Sequence, residues 1–444
     1  MKPREIIPGV EYVGAPDFDR RLFDALIPLP DGTSYNSYLV RGRDKVALID
    51  TVEPEKRYVL EAYLAGVPRI DYLISNHTEQ DHSGSIPWML ERYPGIEILS
   101  SEPAKPLLAD HLGLDPARIR TVADGERLDL GGKTLRFIYT PWVHWPETMS
   151  TYLEEDQVLF SCDWFGAHLA QTGLFADCCD CILGEAKRYY AEIMMPFRII
   201  IRKNLDKIKE LKIKFIAPSH GPVHGDPTAI IQAYRDWTDD RPHNAVVMPW
   251  VSMHGSTALL VERLTAGLVE RGVTVHPFNM ASADIGQLAM ALVDAATLVV
   301  AAPTVHVGPH PMVFNAVVLA NALRPKTRFA SIVGSYGWAG KMAEVTKAAM
   351  PNLKVEMLEP VIAKGLPKPA DLEAIDRLAD AIAAKHTGIG LFYGRAPAAA
   401  SPVRTSTILT LPEGKGYLRS AESETHRLRR PGSRRPPPIP HRKA

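Results

Sequence analysis

Four potential metal ligands lie within six consecutive positions of the chain. The segment N-H-T-E-Q-D-H-S-G contains His77, Glu79, Asp81 and His82, and it directly follows the predicted strand D-Y-L-I-S-N. Imidazole and carboxylate ligands in this mixture suit iron, manganese or zinc rather than calcium or a soft metal. A solvated polar loop is the alternative, and the further candidates elsewhere in the chain make it the weaker one.

Three more candidate ligands occur just past other predicted strands. His144 follows T-L-R-F-I-Y-T, Asp163 follows Q-V-L-F-S-C, and His220 follows K-F-I-A-P-S. Because the carboxyl ends of several strands can meet at one edge, we expect all the candidates to converge. One metal ion cannot use seven ligands, whereas two ions about 3.5–4 Å apart that share a carboxylate can. Asp163 is the best bridge, since it alone is a carboxylate from a separate strand.

The four cysteines are weaker candidates for a metal site. Cys162 precedes a candidate ligand in a strand, where successive side chains point to opposite faces, so we expect it to point away. Cys178, Cys179 and Cys181, in D-C-C-D-C, match neither C-x-x-C nor an iron–sulfur spacing. We therefore predict neither a second metal site nor a disulfide framework, and we expect a reducing compartment.

The second half of the chain contains three loops that suit a phosphate and a flat ring. The loop S-M-H-G-S-T joins a predicted strand to a helix, whose backbone N–H groups can hold a phosphate without a lysine. It matches neither G-x-G-x-x-G nor G-x-x-x-x-G-K-[ST], which disfavours dinucleotides and nucleoside triphosphates. The loops 302–311 and 334–340 follow later strands of the same predicted sheet, and such a sheet binds its ligand at this edge. The candidate binding residues are Ser252, Met253, His254, Gly255, Ser256, Thr257, Pro303, Thr304, Val305, His306, Val307, Gly308, Ser335, Tyr336, Gly337 and Trp338.

The elements that must position these groups divide the chain into two parts and a tail. Residues 1–240 alternate short β-rich runs with helices and predict an α/β layered domain. Residues 245–388 alternate five strands with helices and predict a parallel sheet covered on both faces. The polar segment 234–244 is predicted to be a linker. Residues 389–444 are rich in proline and arginine, and we expect them to be disordered.

Composition excludes several classes of protein. A hydrophobic fraction of 46% and a charged fraction of 23% are typical of a folded soluble chain. The 51 basic and 51 acidic residues cancel, which disfavours nucleic acid or an anionic membrane as a partner. The most apolar run, 288–302, is interrupted by Asp294, and the charged start lacks a signal-peptide core. We expect a cytoplasmic protein.

Taken together, these motifs resemble the flavodiiron proteins, also called A-type flavoproteins. The metal pattern is similar to the H-x-H-x-D-H signature of the metallo-β-lactamase superfamily, but Glu79 stands where a second His is usual, and that exchange marks the flavodiiron proteins. The motifs S-M-x-G-S-T, P-T-x-x-x-G and G-S-Y-G-W resemble their flavodoxin-like half, with Val305 where the family often has Tyr. The resemblance covers about residues 1–388. It implies an N-terminal metallo-β-lactamase-like αββα sandwich followed by a flavodoxin-like doubly wound parallel sheet.

The resemblance also implies two irons, one FMN and a reaction. Dioxygen would be reduced to water, or nitric oxide to nitrous oxide, and a diiron pair with a reduced flavin holds the four electrons that dioxygen requires. Carried over residue by residue, one iron takes His77, Glu79 and His144. The other takes Asp81, His82 and His220, with Asp163 as the bridge.

The family resemblance further implies partners for the chain. A head-to-tail homodimer, or a dimer of such dimers, would bring the FMN of one subunit to the irons of the other. An external electron donor is expected, with rubredoxin, a flavin reductase or a reduced deazaflavin as candidates. A zinc hydrolase fused to a flavodoxin is the main alternative, which Glu79 disfavours. A pure electron carrier is the other, which the seven placed ligands disfavour.

Overall fold

Three large β-sheets and the helices that pack on them make up the described part of the chain. The computed structural model describes residues 1–176, 179–338 and 340–392, without the side chains of residues 179–181. The predicted tail, 389–444, falls almost wholly outside these ranges, as does Cys178. The prediction of disorder for the tail is therefore not tested.

The first half of the chain supplies two of the large sheets. Its strands are β1 (Arg4–Ile7), β2 (Val10–Tyr12), β3 (Ala15–Asp17), β4 (Leu22–Phe23), β5 (Ile27–Pro28), β6 (Thr33–Tyr35), β7 (Tyr38–Arg41), β8 (Val46–Ile49), β9 (Tyr72–Ser75), β10 (Glu97–Ser101), β11 (Ile119–Val122), β12 (Arg127–Asp129), β13 (Thr134–Tyr139), β14 (Met149–Leu153), β15 (Val158–Cys162) and β16 (Phe215–Pro218). One sheet has the order β1-β2-β7-β8-β9-β10-β11 and the other β12-β13-β14-β15-β16. The short pairs β3-β6 and β4-β5 lie outside them.

Helices cover the outer faces of these two sheets. They are α1 (Arg57–Leu64), α2 (Gln80–Ser83), α3 (Ile86–Arg92), α4 (Ala104–Leu112), α5 (Cys179–Tyr189), α6 (Arg198–Ile208) and α7 (Thr228–Thr238). A π-helical turn at Tyr190–Met194 and a 3-10 turn at Met195–Phe197 connect α5 to α6. Short 3-10 turns also occur at Pro54–Lys56 and Pro116–Arg118.

The second half of the chain forms the third large sheet. Its strands are β17 (His243–Trp250), β18 (Thr274–Asn279), β19 (Ala295–Val305), β20 (Gly308–Pro309), β21 (Phe329–Tyr336), β22 (Glu356–Met357) and β23 (Val361–Lys364). Its helices are α8 (Ser256–Glu270), α9 (Ile285–Leu292), α10 (Pro311–Leu323), α11 (Met342–Ala348) and α12 (Pro369–Gly388). The order β18-β17-β19-β21, extended by β22 and β23, is that of a flavodoxin-like doubly wound sheet. The predicted fold class is therefore confirmed.

Burial explains why each sheet occupies its layer. The nine residues from Ala295 to Pro303 in β19 are all buried, as expected for a central strand with helices on both faces. Between the first two sheets the core contains Ile49 and Ile74 from one side and Phe137 and Phe160 from the other. The two sheets therefore form the inner layers of the predicted αββα sandwich.

A single apolar cluster runs from the second sheet to the third. It includes Leu159 in β15, Tyr190 and Ile201 from the α5–α6 region, and Leu288 and Val317 from α9 and α10. Because helices of both halves share this core, the halves pack against each other directly. A boundary between domains near residue 240 stays a prediction. None of the helices in the described ranges has both the length and the apolar character to cross a membrane.

Two details of the sequence prediction are wrong. The predicted linker, 234–244, is largely regular structure, because α7 continues to Thr238 and β17 begins at His243. Tyr234 and Trp237 are buried in the shared core, so the polar composition of the segment concealed two anchoring aromatic residues. The last of the five strands predicted within residues 245–388 consists instead of the two short strands β22 and β23, which pair with β21 at different positions.

Candidate functional site

The seven predicted metal ligands lie together at one edge of the sandwich. Each comes from a loop or short helix at the carboxyl end of a strand, where the backbone leaves the sheet. His77 and Glu79 lie in the loop after β9, Asp81 and His82 in α2, His144 between β13 and β14, Asp163 just after β15, and His220 just after β16.

The first group of ligands consists of His77, Glu79 and His144. The Glu79 Oε2 atom lies 2.9 Å from His144 Nε2 and 3.2 Å from His77 Nε2. The Oδ2 atom of Asp163 lies 3.4 Å from the same two imidazole nitrogens. These four side chains place one donor atom each within 4.8 Å of one another, which is compact enough to surround a single ion.

The second group consists of Asp81, His82 and His220. The two Asp81 oxygens lie 3.3 Å from His82 Nε2 and from His220 Nε2 respectively. The other oxygen of Asp163, Oδ1, lies 3.0 Å from His82 Nε2 and 3.4 Å from His220 Nε2. Asp163 thus presents one oxygen to each group, as a bridging carboxylate between two metal ions must.

Two of the imidazoles are oriented by partners behind them. The Nδ1 atom of His77 donates to Glu147 Oε1 at 2.7 Å, and that oxygen also accepts from the backbone N–H and the hydroxyl of Thr78. His220 Nδ1 donates to the backbone oxygen of Ser34 at 2.7 Å. With Nδ1 protonated, the lone pair on Nε2 faces the site, which is the usual arrangement for a metal-bound histidine.

His82 differs from these two histidines. Both of its ring nitrogens are buried, and neither has a hydrogen-bond partner in good geometry within the described part of the chain. Its Nε2 is directed at Asp163, but its ring orientation lacks the support that His77 and His220 have.

The electrostatics of the site are dominated by carboxylates and imidazoles in a dry environment. Burial alone would raise the pKa of Asp163, but the imidazoles of His82, His144 and His220 lower it well below its usual range. Burial would lower the pKa of His220, yet Asp163 and Asp81 raise it to about 10. The site thus holds Asp163 in its ionised, metal-binding form.

The donor set fits a pair of hard or borderline cations. The oxygens of Asp81 and Asp163 are buried and unsatisfied by hydrogen bonds within the described ranges. Buried carboxylates are costly unless they are paired or bind a metal. Three carboxylates and four imidazoles match the nitrogen and oxygen ligands that iron takes in non-haem sites.

Cys162 does not point away from the site, and the prediction that it would is wrong. Its thiol lies within 4.8 Å of ligand atoms of His82 and Asp163. The cause is local backbone geometry, because Cys162 has φ of 53° and the pairing of β15 with β16 shifts register between Phe160 and Cys162. The regular alternation of side chains therefore ends one residue early. Burial raises the pKa of the Cys162 thiol well above its usual range.

Sequence reasoning missed several groups around the ligands. Glu147 and Ser34 orient two histidines, and the rings of His168 and Tyr189 lie 5.1 Å and 5.7 Å from the ring of His220. Glu147 lies in the same P-W-V-H-W-P-E segment as His144, so its closeness to a candidate ligand was an available signal. His168 and Tyr189 are separated from every candidate ligand in sequence and offered none.

The candidate flavin residues gather at the carboxyl edge of the third sheet. Residues 252–257 follow β17, residues 303–308 span the end of β19 and its turn into β20, and residues 335–338 end β21 and follow it. These three strands are adjacent and parallel, so their loops lie side by side. The edge therefore offers the helix N-terminus of α8 on one side and two loops on the other.

The flavin edge is made largely of backbone and small hydroxyl groups. Gly255 has φ of 89°, a conformation that suits glycine, and its N–H donates to Ser252 Oγ at 3.1 Å. Thr257 is buried, and its hydroxyl lies 3.0 Å from that of Ser335. Trp338 is 93% exposed, so it does not pack within the fold. A phosphate would meet N–H and O–H donors here rather than lysine.

Comparisons with known proteins point to one kind of protein. A family model described as "ODP family beta lactamase" matches residues 33–221. A nitric oxide reductase from Moorella thermoacetica is 34% identical over 395 residues, which cover 86% of this chain and 99% of the relative. A coenzyme F₄₂₀H₂ oxidase from Methanothermobacter marburgensis is 35% identical over 361 residues, covering 76% of this chain and 87% of that protein.

Solved structures share the whole arrangement. The rubredoxin oxygen:oxidoreductase from Desulfovibrio gigas has a TM-score of 0.83 at 29% identity and covers 87% of this chain and 99% of its own. The flavodiiron protein from Giardia intestinalis has a TM-score of 0.78 at 27% identity and covers 87% of this chain and 98% of its own. The similarity thus extends through all three large sheets.

Proposed function

Because this chain belongs to the flavodiiron protein family, we propose that it is an oxidoreductase that reduces dioxygen to water, nitric oxide to nitrous oxide, or both. The reaction takes place at a non-haem diiron site and uses electrons delivered through FMN. The relatives that cover most of the chain are named as a nitric oxide reductase, a coenzyme F₄₂₀H₂ oxidase and an oxygen oxidoreductase.

One observation carries the proposal. The two oxygens of Asp163 face two separate groups of ligands, and each group contains two imidazoles and one further carboxylate. A site for one ion does not need this division. Two irons at such a site supply redox chemistry, and together with a reduced flavin they hold the electrons that the reaction consumes.

We assign the ligands to the two ions by these contacts. His77, Glu79 and His144 belong to one iron, and Asp163 bridges. The second iron takes the remaining three ligands, which are Asp81, His82 and His220.

A zinc hydrolase on the same sandwich is the less favoured alternative. Glu79 places a carboxylate where a zinc hydrolase would have a histidine, and its Oε2 lies 2.9 Å from His144 Nε2, inside the first group. The additional negative charge favours iron and stabilises its higher oxidation states over a zinc-bound hydroxide. The relatives named above are all oxidoreductases, which argues against hydrolysis.

We place FMN at the carboxyl edge of the third sheet. The phosphate would lie in the loop 252–257, at the N-terminus of α8, and the ring between the loops 303–308 and 335–338. Val307 and Trp338 are exposed apolar side chains at this edge, so they are available to contact a ring or a neighbouring subunit.

The electron donor is an external redox partner. The names of two relatives specify reduced coenzyme F₄₂₀ and rubredoxin as the partners of those proteins. For this chain, rubredoxin, a flavin reductase and a reduced deazaflavin coenzyme are the candidates, and we place the reaction in the cytoplasm.

A head-to-tail homodimer, alone or paired into a tetramer, is supported by two exposed apolar patches. One lies on the segment 18–26, where Phe18, Leu22 and Leu26 are exposed. That segment borders the metal site, because burial and then the charges of Glu79 and Asp81 raise the pKa of Asp24 within it. The other patch lies at the flavin edge. Pairing the two patches would bring the flavin of one subunit to the irons of the next.

Metal and flavin analysis of protein purified without oxygen tests this function. We expect about two irons and one FMN per chain, and consumption of oxygen or nitric oxide once a chemical reductant reduces the flavin. Zinc in place of iron, in protein expressed with ample iron, would refute the proposed reductase function. Hydrolysis of esters and thioesters would then be the activity to assay. Sedimentation of the loaded protein tests the dimer, and a fully active monomer would refute it.

A further inference from the structure

An open cleft of about 590 Å³ lies where the two halves of the chain meet, at the amino end of the third sheet. One wall comes from the turn before α6 and the first residues of that helix. The other wall comes from the segments before β21 and β22.

The charge of this cleft is positive. Five of its lining residues are arginine or lysine, and none of those described is acidic. Arg198 is compensated by Asp240 at 2.6 Å and Lys326 by Asp294 at 3.0 Å.

The other three cations are not compensated in this way. Arg324, Arg328 and Lys354 are exposed, and within the described ranges none of them pairs with a carboxylate. Arg328 donates one hydrogen bond to the backbone oxygen of Asp240 at 2.9 Å, which leaves its charge without a carboxylate partner. In a chain of zero net charge, these three cations create a local field that attracts an anion.

The opposite wall of the cleft is apolar. Met195, Phe197 and Ile199 line it, and Ile199 is 61% exposed although it is a large aliphatic side chain. The Phe197 ring stacks on the Trp142 ring with centroids 5.3 Å apart, which fixes its position. A flat or apolar group could cover this wall while an anionic group meets the cations.

The cleft is separate from the flavin edge. Its residues 324–328 precede β21, whereas the flavin loop 335–338 lies at the other end of that strand. Eight residues of β-strand span about 26 Å. A ligand in the cleft therefore does not contact the FMN.

We propose that this cleft binds a small phosphorylated molecule with a flat ring, of the nucleoside phosphate class. The ring lies on the wall formed by Phe197 and Ile199. The phosphates lie against Arg324, Arg328 and Lys354 on the facing wall. The site is distinct from the proposed diiron and flavin sites, and its occupancy does not depend on the reaction that they catalyse.

Calorimetric titration of the FMN- and iron-loaded protein with ADP tests the proposal. Saturating the protein with FMN first keeps ADP out of the flavin site. We expect a single site with a dissociation constant below about 0.1 mM, and at least tenfold weaker binding of inorganic phosphate or adenosine alone. The double variant Arg324→Gln/Lys354→Gln should weaken ADP binding at least tenfold. Lys209→Gln, which removes an exposed cation outside the cleft, should leave it unchanged.

Several results would overturn the proposal. The first is that ADP at millimolar concentration gives no heat of binding. The second is that the double variant binds ADP as tightly as the unmodified protein, and the third is that adenosine or inorganic phosphate binds as tightly as ADP. Equal binding of phosphate would mean that the cleft is a simple anion site. If the double variant does not retain FMN and iron, the single variant Lys354→Gln decides the question, because Lys354 is exposed.

Discussion

The metal edge of the sandwich and the flavin edge of the third sheet both lie at the carboxyl ends of strands, but different chemical groups form them. At the metal edge, buried charged side chains lie within 2.9–3.4 Å of one another, and hydrogen bonds from behind orient two of them. At the flavin edge, residues 252–256 are half-buried or exposed, the hydroxyl residues Thr257 and Ser335 are buried, and Trp338 lies in solvent. The metal edge depends on the identity of each side chain, whereas the flavin edge depends mostly on the path of the backbone. Single substitutions should therefore harm the first more than the second.

The largest effect is expected at the bridging carboxylate. Asp163→Asn removes the negative charge that faces both groups of ligands, so the protein should lose both irons and its reductase activity should fall more than about 100-fold. FMN content should stay at one per chain. Iron analysis by mass spectrometry and an oxygen electrode measure the two quantities.

Asp206→Asn, on the exposed side of α6, is the matched control and should change neither quantity. Retention of both irons by Asp163→Asn would show that Asp163 is not the bridge. Loss of FMN together with iron would show that the two edges are not independent.

A smaller effect is expected behind the metal ligands, at Glu147. Glu147→Gln weakens the acceptor for His77 Nδ1 but keeps the size of the side chain. Carboxylates that orient metal-bound histidines contribute about 10–100-fold to metal affinity. Iron should therefore leave the variant that much more readily when the protein is titrated with a chelator.

Glu102→Gln, an exposed carboxylate on a neighbouring loop, is the control for that experiment. Unchanged iron retention in Glu147→Gln would show that the geometry at His77 does not need its charged partner. It would also mean that the metal edge tolerates single substitutions, as we expect of the flavin edge.

The contrast between the edges also explains what the sequence could reveal. The candidate ligands were predictable because His77, Glu79, Asp81 and His82 place four potential metal-binding side chains at tight spacing directly after a strand. Glu147 was missed although it lies in the same segment as His144. Ser34 was not predictable, because it acts through its backbone oxygen in a three-dimensional contact. Such a contact leaves no signature in residue type.

Errors in the sequence prediction have a common physical origin. Cys162 was assigned to the wrong face because alternation assumes regular strand geometry, and its positive φ breaks that rule. The segment 234–244 was assigned as a linker because its composition is polar, although Tyr234 and Trp237 insert into the core. Pattern rules fix the element and its general location, whereas local backbone geometry and long-range packing decide the orientation of a particular side chain.

At the flavin edge, removal of one hydroxyl should have a moderate effect. Thr257→Val keeps the shape of a buried side chain but removes the hydroxyl that lies 3.0 Å from Ser335 Oγ at the N-terminus of α8. One lost hydrogen bond to a phosphate corresponds to about a tenfold rise in the dissociation constant for FMN. Titration of the flavin-free protein with FMN, followed by fluorescence quenching, measures it.

Thr257→Ser retains the hydroxyl and should rescue most of the flavin affinity. Iron content should be normal in both variants. Complete loss of flavin binding in Thr257→Val would contradict the proposed difference between the edges. One side chain would then matter as much for flavin binding as Asp163 is expected to matter for iron binding.

The smallest effect on activity is expected where the two halves of the chain join, at Glu192, because a change there alters stability and leaves both edges intact. Burial raises the pKa of Glu192 from 4.5 to about 7, and Arg188, 3.3 Å away, opposes the rise. Arg188 also pairs with Asp284, the residue that caps α9, so Glu192 lies at the contact between the halves. The folded protein keeps its proton on Glu192 up to about pH 7, whereas the unfolded chain releases it near pH 4.5. The stabilisation by this proton is complete below the unfolded pKa and is lost as the pH rises through the folded one.

Glu192→Gln should therefore become more stable relative to the unmodified protein as the pH rises from 5 to 8, by up to about 3 kcal/mol at the limit set by the two pKa values. The thermal unfolding midpoints of both proteins, measured across this pH range with metal and FMN bound, give the difference.

Glu210→Gln, at an exposed position just after α6, should show no such trend. A pH-independent difference between Glu192→Gln and the unmodified protein would mean that Glu192 stays ionised in the fold. Its contact with Arg188 would then be a permanent ion pair beside the Arg188–Asp284 pair that joins the halves, and this joint would resemble the metal edge in depending on fixed charges.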